Sequence, residues 1–219
     1  MIKAVIFDMD GVLADSEQII CAAAMQMFAE LGVKVHRKDF LPFVGAGENR
    51  YIGGVAEKYG VAVDIPTAKA RTYAIYLDLV PRQLAMFPGA DALVLQCKAA
   101  GLRIAVASSA DRIKIDANLD AIGLPPAQWD ALVSGEELTR LKPAPDIFLE
   151  ASRRLGVSPM QCTVVEDAVN GVQAAKAAGM RCVAVETSFS KEELRQADCV
   201  CSRIGDIQLA DVTGGADVR

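Results

Sequence analysis

Six short apolar runs, at residues 3–8, 102–108, 131–134, 162–166, 181–186 and 198–201, constrain this chain most. Each is nearly continuous in apolar residues rather than alternating, as in strands buried on both faces of a parallel sheet. Between several of them lie longer helical stretches that stop at Gly101, Gly123, Gly156 and Gly179. Glycine just past a helix favours the left-handed cap that ends it. Alternation of this kind predicts an α/β fold with a doubly wound, mainly parallel, Rossmann-like sheet. In a chain of 219 residues, 52% of them hydrophobic, a sizeable core is attainable.

The rhythm breaks once. Residues 16–86 contain no convincing strand. Ile20, Ala24, Met27, Phe28 and Leu31 mark an apolar helical stripe, with Ser16 as N-cap and Gly32 as stop. Two more helices are expected, one before Gly60 and one over 66–80. This insertion is too long for an ordinary crossover, whose loops run ~2–6 residues. It therefore reads as an all-helical subdomain. The expected division is a core of 1–15 and 87–212, a helical cap of 16–86, and a frayed tail of 213–219. Trp129, Met25 and Met27 read as packing residues.

Several function classes drop out. The formal net charge of −5 argues against a nucleic-acid backbone or an anionic membrane as partner. No run reaches the ~18 apolar residues of a membrane span, and the N-terminal run meets Asp8 too early for a secretory signal. The single histidine, His36, sits in a polar stretch, which disfavours a Ser-His-Asp triad and His-rich zinc sites. The six cysteines show no C-x-x-C spacing and read as reduced thiols, so a cytoplasmic location is expected. Cys199 and Cys201 would share one face of a strand. Monomer is the default expectation.

Ligands of open parallel sheets bind beyond the carboxyl ends of the strands. The polar residues there are Asp8 and Asp10 after the first run, Ser108 and Ser109 after the second, and Glu166 and Asp167 after the fourth. Lys142 precedes Pro143 near a helix start. Clustered ionised carboxylates call for a cation, and oxygen ligands select a hard one such as Mg²⁺, which takes further ligands from phosphate and water. Asp8 is placed to act as a nucleophile and Asp10 as a proton carrier. Lys142 and Ser108 are suited to holding phosphoryl oxygens. Together they point to metal-assisted phosphoryl transfer on a small phosphorylated metabolite.

Four segments then resemble, in order, the motifs of the haloacid-dehalogenase-like hydrolases: Phe7-Asp8-Met9-Asp10-Gly11-Val12-Leu13-Ala14-Asp15-Ser16-Glu17, Val106-Ala107-Ser108-Ser109, Leu141-Lys142-Pro143-Ala144-Pro145-Asp146-Ile147-Phe148 and Val164-Val165-Glu166-Asp167-Ala168-Val169-Asn170-Gly171-Val172. The position of the helical insertion is similar to that of the β-phosphoglucomutase-like and phosphoglycolate-phosphatase-like branch. The resemblance implies an aspartyl-phosphate on Asp8, with Asp10 protonating the leaving oxygen and then activating water. It implies Mg²⁺ held by Asp8, Asp167 and the Asp10 carbonyl with Glu166 nearby, and phosphoryl binding by Lys142 with Ser108 and Ser109. Asp10 itself argues against carbon–halogen chemistry, because dehalogenases lack that second aspartate.

Two features depart from the mutase pattern. The position of that branch's cap histidine is Ile20, and the position of its phosphate-gripping arginine is Glu48. Simple hydrolysis is therefore expected, with a sugar-phosphate mutase or a catalytically silent binding module as alternatives. The glycine-bearing stretch from Gly45 to Gly54 reads as a substrate-specificity loop in which Gly47, Glu48 or Arg50 contacts substrate. Arg112 and Lys114 read as a solvated helix face.

Overall fold

The computed structural model describes residues 1–215. Its six strands are β1 (Ala4–Phe7), β2 (Arg103–Ser108), β3 (Ala131–Ser134), β4 (Cys162–Glu166), β5 (Arg181–Val185) and β6 (Cys199–Cys201). They form one sheet in the order β3-β2-β1-β4-β5-β6. Every pairing is parallel. The chain thus winds outward from β1 in both directions, the doubly wound order.

Why β1 shows no alternation is visible in its contacts. Val5 and Phe7 join one apolar cluster while Ala4 and Ile6 join another, and all four are fully buried. The first cluster gathers side chains from α4 (Ala90–Ala99), α5 (Arg112–Ala121) and α8 (Leu209–Thr213). The second gathers them from α6 (Asp146–Leu155) and α7 (Val169–Ala177). Helices cover both faces, so neither face tolerates polar residues. Trp129 packs edge-on to Phe7, ring centroids 5.8 Å apart.

Between β1 and α4 the chain forms α1 (Glu17–Glu30), α2 (Glu48–Tyr59) and α3 (Ile65–Gln83). Their apolar faces make a third cluster around Phe28, Phe40, Ile52 and Tyr76, with Met27 inside it and Met25 at its edge. The two strands of chain that link this bundle to the sheet pair with each other. Asp15 N–H donates to Ala85 C=O at 2.9 Å, and Phe87 N–H to Leu13 C=O at 3.0 Å.

Three local expectations need correction. Ser16 sits at the N-cap of α1 but makes no capping bond, because its hydroxyl is used elsewhere. The stretch from Gly45 to Gly54 is not one loop. Helix α2 starts at Glu48, and Gly54 lies inside it, where a Cβ would fall 2.3 Å from the Phe43 ring. Residues 213–215 are not a frayed tail, for Thr213 closes α8 and Gly214 caps it with φ +76°; residues 216–219 of that expected tail lie outside the described residues. No helix among the described residues is long and apolar enough to cross a membrane.

Candidate active site

A cavity of about 620 Å³ opens at the carboxyl rim of β1, β2 and β4, with the helical bundle as its other wall. Asp8 follows β1 directly, and its N–H continues the ladder to Val165 C=O at 2.9 Å. Lys142 Nζ donates to Asp8 Oδ1 at 2.5 Å and to Glu166 Oε1 at 2.6 Å. The same ammonium lies 5.0 Å from the centre of the Phe148 ring. Glu166 Oε2 accepts from the backbone N–H groups of Asp167 and Ala168, both at 2.6 Å. Glu166 is therefore a strut that aims Lys142. Both of its oxygens are taken by protein donors.

Two glycines of the motifs have steric reasons to be glycine. A Cβ on Gly171 would lie 1.7 Å from Glu166 Oε1, so only glycine lets α7 pass over the buried glutamate. A Cβ on Gly11 would meet Asp167 Oδ2 at 2.0 Å, and the φ of +83° there also favours glycine.

Asp167 is buried and accepts from the Ser188 hydroxyl. Ser188 was missed in the sequence, although the rule of polar residues at strand ends, carried on past β5, would have reached it. Burial pushes the Asp167 carboxyl well above the usual range, and the Glu166 and Asp8 charges push it further. Burial likewise raises Asp8, to about 7, with Lys142 opposing and Glu166 and Asp10 adding to the rise. Asp8, Glu166 and Asp167 thus place three acids against the single ammonium of Lys142. Among the described residues, no three His, Cys, Asp or Glu side chains converge as a ready-made metal cage. The donor set facing the cavity is instead the carboxylates of Asp8 and Asp167. Their surplus of buried negative charge, carried by hard oxygen donors, fits a divalent cation such as Mg²⁺.

Asp10 also lines the cavity, but both of its oxygens have protein partners. Oδ1 accepts from the Ser16 hydroxyl and Oδ2 from Lys114 Nζ at 3.0 Å. Lys114 is therefore not on a solvated helix face, which corrects that expectation. Lys114 is only 3% exposed, and it also donates to Glu48 Oε1 at 3.1 Å. Burial would depress its pKa, but Asp10 and Glu48 outweigh that and hold it well above the usual lysine value. Arg112, by contrast, is on the surface with Asp116.

Ser108 and Ser109 line the cavity from the end of β2. Ser108 Oγ accepts from Ala110 N–H at 3.1 Å, and Ser109 Oγ is buried with no partner among the described residues. On the bundle side, Gly47 and Glu48 line the cavity and Arg50 does not. Arg50 pairs with Glu57 at 2.9 Å and covers the Phe43 ring. It lies two residues past Glu48 on α2, a turn of about 200° around the helix, which carries it to solvent. Glu17, which ends the first motif but was given no role in the site, lines the cavity and accepts from Tyr51 Oη at 3.0 Å. Burial raises its carboxyl to about 7, against Lys114 and Tyr51, which lower it.

The chain is similar to known proteins over nearly its whole length. A family model described as haloacid dehalogenase-like hydrolase matches residues 5–185. Protein SUPPRESSOR OF QUENCHING 1, chloroplastic, of Arabidopsis thaliana is 50% identical over 222 residues, covering 99% of this chain. This chain spans only 21% of that protein's length. Hexitol phosphatase B of Escherichia coli (strain K12) is 31% identical over 227 residues, 97% of each chain. Among solved structures, CbbY from Rhodobacter sphaeroides superposes with a TM-score of 0.90 at 29% identity, over 97% of this chain and 99% of that one. It has been solved with phosphate and, as a mutant, with xylulose-(1,5)bisphosphate.

Proposed function

Because the chain belongs to the haloacid dehalogenase-like hydrolases and is a phosphoric monoester hydrolase, we propose that it cleaves the phosphate from a small sugar-type metabolite through an aspartyl-phosphate on Asp8, with Mg²⁺ as cofactor. One observation carries this reading. Asp8 and Lys142 stand 134 residues apart in sequence yet lie in contact at 2.5 Å on the rim of a cavity that Asp10, Ser108 and Asp167 also line.

In the proposed reaction the free oxygen of Asp8 attacks phosphorus while the bond to the leaving oxygen breaks, and Asp10 gives that oxygen its proton. Asp10 then takes a proton from water as the water attacks the phosphoryl group, the Asp8–phosphorus bond breaks, and inorganic phosphate leaves. Lys142, held by Glu166, neutralises charge on the phosphoryl oxygens, and Ser108 and Ser109 orient them. Asp8 and Asp167, with the main-chain carbonyl of Asp10, would hold Mg²⁺, which when bound supplies positive charge to the phosphate and offsets that of the clustered acids. Helices α1–α3, taken as a cap, exclude water and select the leaving group. Hydrolysis fits better than the mutase alternative, because the two departures from that pattern, Ile20 and Glu48, both face the cavity.

Release of inorganic phosphate from an aryl phosphate, measured with and without Mg²⁺, tests the reading. The wild-type chain should release it only with the metal, and Asp8→Asn should lower the rate about 10³-fold or more. Activity that survives Asp8→Asn would remove the nucleophile. Complete inactivity of the wild type would favour the silent module.

A further inference from the structure

Two cysteines that the proposed reaction leaves unused stand on the outermost strand of the sheet. Cys199 and Cys201 turn the same way from β6 and pack at the edge of the cluster that holds Val183 and Val185, while Val200 between them packs on the opposite one. Their Sγ atoms lie 3.9 Å apart. Both residues are partly exposed, whereas the other four cysteines are buried. A short stretch of chain joins this pair to the rim. Cys199 and Cys201 pair with Val183 and Val185 of β5, and the next residue, Glu186, donates its N–H to Cys201 C=O at 3.1 Å. The Glu186 carboxylate accepts from Lys191 N–H at 3.0 Å and from Ser202 Oγ at 3.3 Å. Two residues further on, Ser188 donates to Asp167.

Cα atoms two residues apart in a strand are separated by about 6.6 Å, the long end of what a disulfide spans. Bonding the two sulfurs therefore has to draw the strand in. Strand β6 can yield, because it is three residues long and has a neighbouring strand on one side only. Its movement reaches Glu186 through the ladder bond to Cys201, and the turn from Glu186 to Ser188 carries it to Asp167. Resting on Asp167 as a holder of Mg²⁺, we propose that Cys199 and Cys201 form a reversible redox switch on that site. A small-molecule disulfide oxidises the pair to an internal disulfide, which disturbs the Ser188–Asp167 hydrogen bond and weakens Mg²⁺ binding. The Cys199 thiol loses its proton and attacks one sulfur of the oxidant, whose S–S bond breaks and releases a first thiol. Cys201 then loses its proton and attacks Cys199 Sγ, releasing the second thiol. The pair gives up two electrons and two protons, and the oxidant takes up both. Burial, then the neighbouring Cys199 and Asp211, push the Cys201 thiol up to about 12, which makes it the second to react.

The test equilibrates the full chain with glutathione at stepped ratios of disulfide to thiol, then quenches it in acid, unfolds it and alkylates it. Intact mass should show all six cysteines alkylated in excess thiol and only Cys21, Cys97, Cys162 and Cys182 in excess disulfide, with peptide mapping placing the link between Cys199 and Cys201. Titration calorimetry then reads the metal. The dissociation constant for Mg²⁺ should rise about tenfold on oxidation, the usual cost of disturbing a group that orients a ligand. Dithiothreitol should restore it, and Cys201→Ser should keep the reduced value at every ratio. Phosphate release should need correspondingly more Mg²⁺ after oxidation. Six alkylated cysteines in excess disulfide, or glutathione that stays on Cys199 with no internal link, overturns the switch. So does an internal link that leaves Mg²⁺ binding unchanged. A chain that binds no Mg²⁺ in either state overturns the switch together with the metal role of Asp167. A chain that forms the link and loses Mg²⁺ affinity, yet releases phosphate from no ester, overturns the hydrolase reading and leaves the switch standing.

Discussion

Lys114 Nζ and Asp10 Oδ2 lie 3.0 Å apart although 104 residues separate them in the chain. The lysine reaches from α5 under the bundle, and the same ammonium binds Glu48 on α2. One buried cation therefore ties the proposed proton carrier to the wall that faces the leaving group.

Removing that cation leaves Glu48 and Asp10 without their shared partner. Breaking a buried ion pair from one side costs about 3–5 kcal/mol, because the remaining charge stays buried. Lys114→Met should lower stability on that scale, read as a shifted midpoint in urea. Its kcat should fall about 10²-fold, since Asp10 loses the group that aims it. A variant with wild-type kcat would make the pair purely structural.

Glu17 sets a pH dependence of stability. Its carboxyl is raised to about 7 from an ordinary value of 4.5, chiefly by burial. An acid raised in the folded state binds its proton more tightly there than when unfolded, so stability falls as pH rises from the ordinary value through about 7. Glu17→Gln removes that loss. The variant should gain stability relative to wild type between pH 5 and pH 8 by on the order of 2 kcal/mol, measured by denaturation at both pH values. A difference that does not change with pH would contradict the burial of this carboxyl.

Gly171→Ala tests the strut beneath Lys142. The new methyl group would overlap Glu166 Oε1, so either α7 moves or the glutamate does. Overpacking of this kind costs about 1–3 kcal/mol. Phosphate release should drop with it, because Lys142 loses one of its two anchors. A fully active Gly171→Ala would show that Glu166 is not needed to aim the lysine.

The surplus of acids around Lys142 predicts that Mg²⁺ stabilises the protein. At a concentration a hundred times its dissociation constant, a ligand that binds only the folded state adds about 2.7 kcal/mol. Thermal melts at pH 8 should therefore shift upward with Mg²⁺. In Asp167→Asn the shift should largely vanish, while the protein without metal melts higher than wild type, since one of three crowded acids is gone. An Asp167→Asn protein that keeps the full shift would move the ion elsewhere.

How much of this was legible in the sequence follows from what buries each residue. The apolar runs at β1, β4 and β5 are desolvated on both faces, and that demand is written directly into their composition. The glycines after α2, α4 and α6 report a local backbone requirement that no distant contact alters, and all three have positive φ. The rim residues Asp8, Ser108, Glu166 and Asp167 could be named because parallel strands end on one edge, so position in the chain implies position in space.

What the sequence by itself determined, then, is the sheet, its helices and the set of groups along its rim, because each depends on short-range periodicity or on the common direction of the strands. Only the tertiary structure decided that Lys114 is buried and Arg50 is not, that Glu166 holds Lys142, and that Glu48 keeps one oxygen unmet. The physical reason is the same in each case. A charged side chain is buried only if partners meet it, and here those partners lie on other elements: Asp10 and Glu48 stand 104 and 66 residues from Lys114. Helical periodicity on α2 and α5 cannot register groups that reach them only through the packing of the bundle against the sheet.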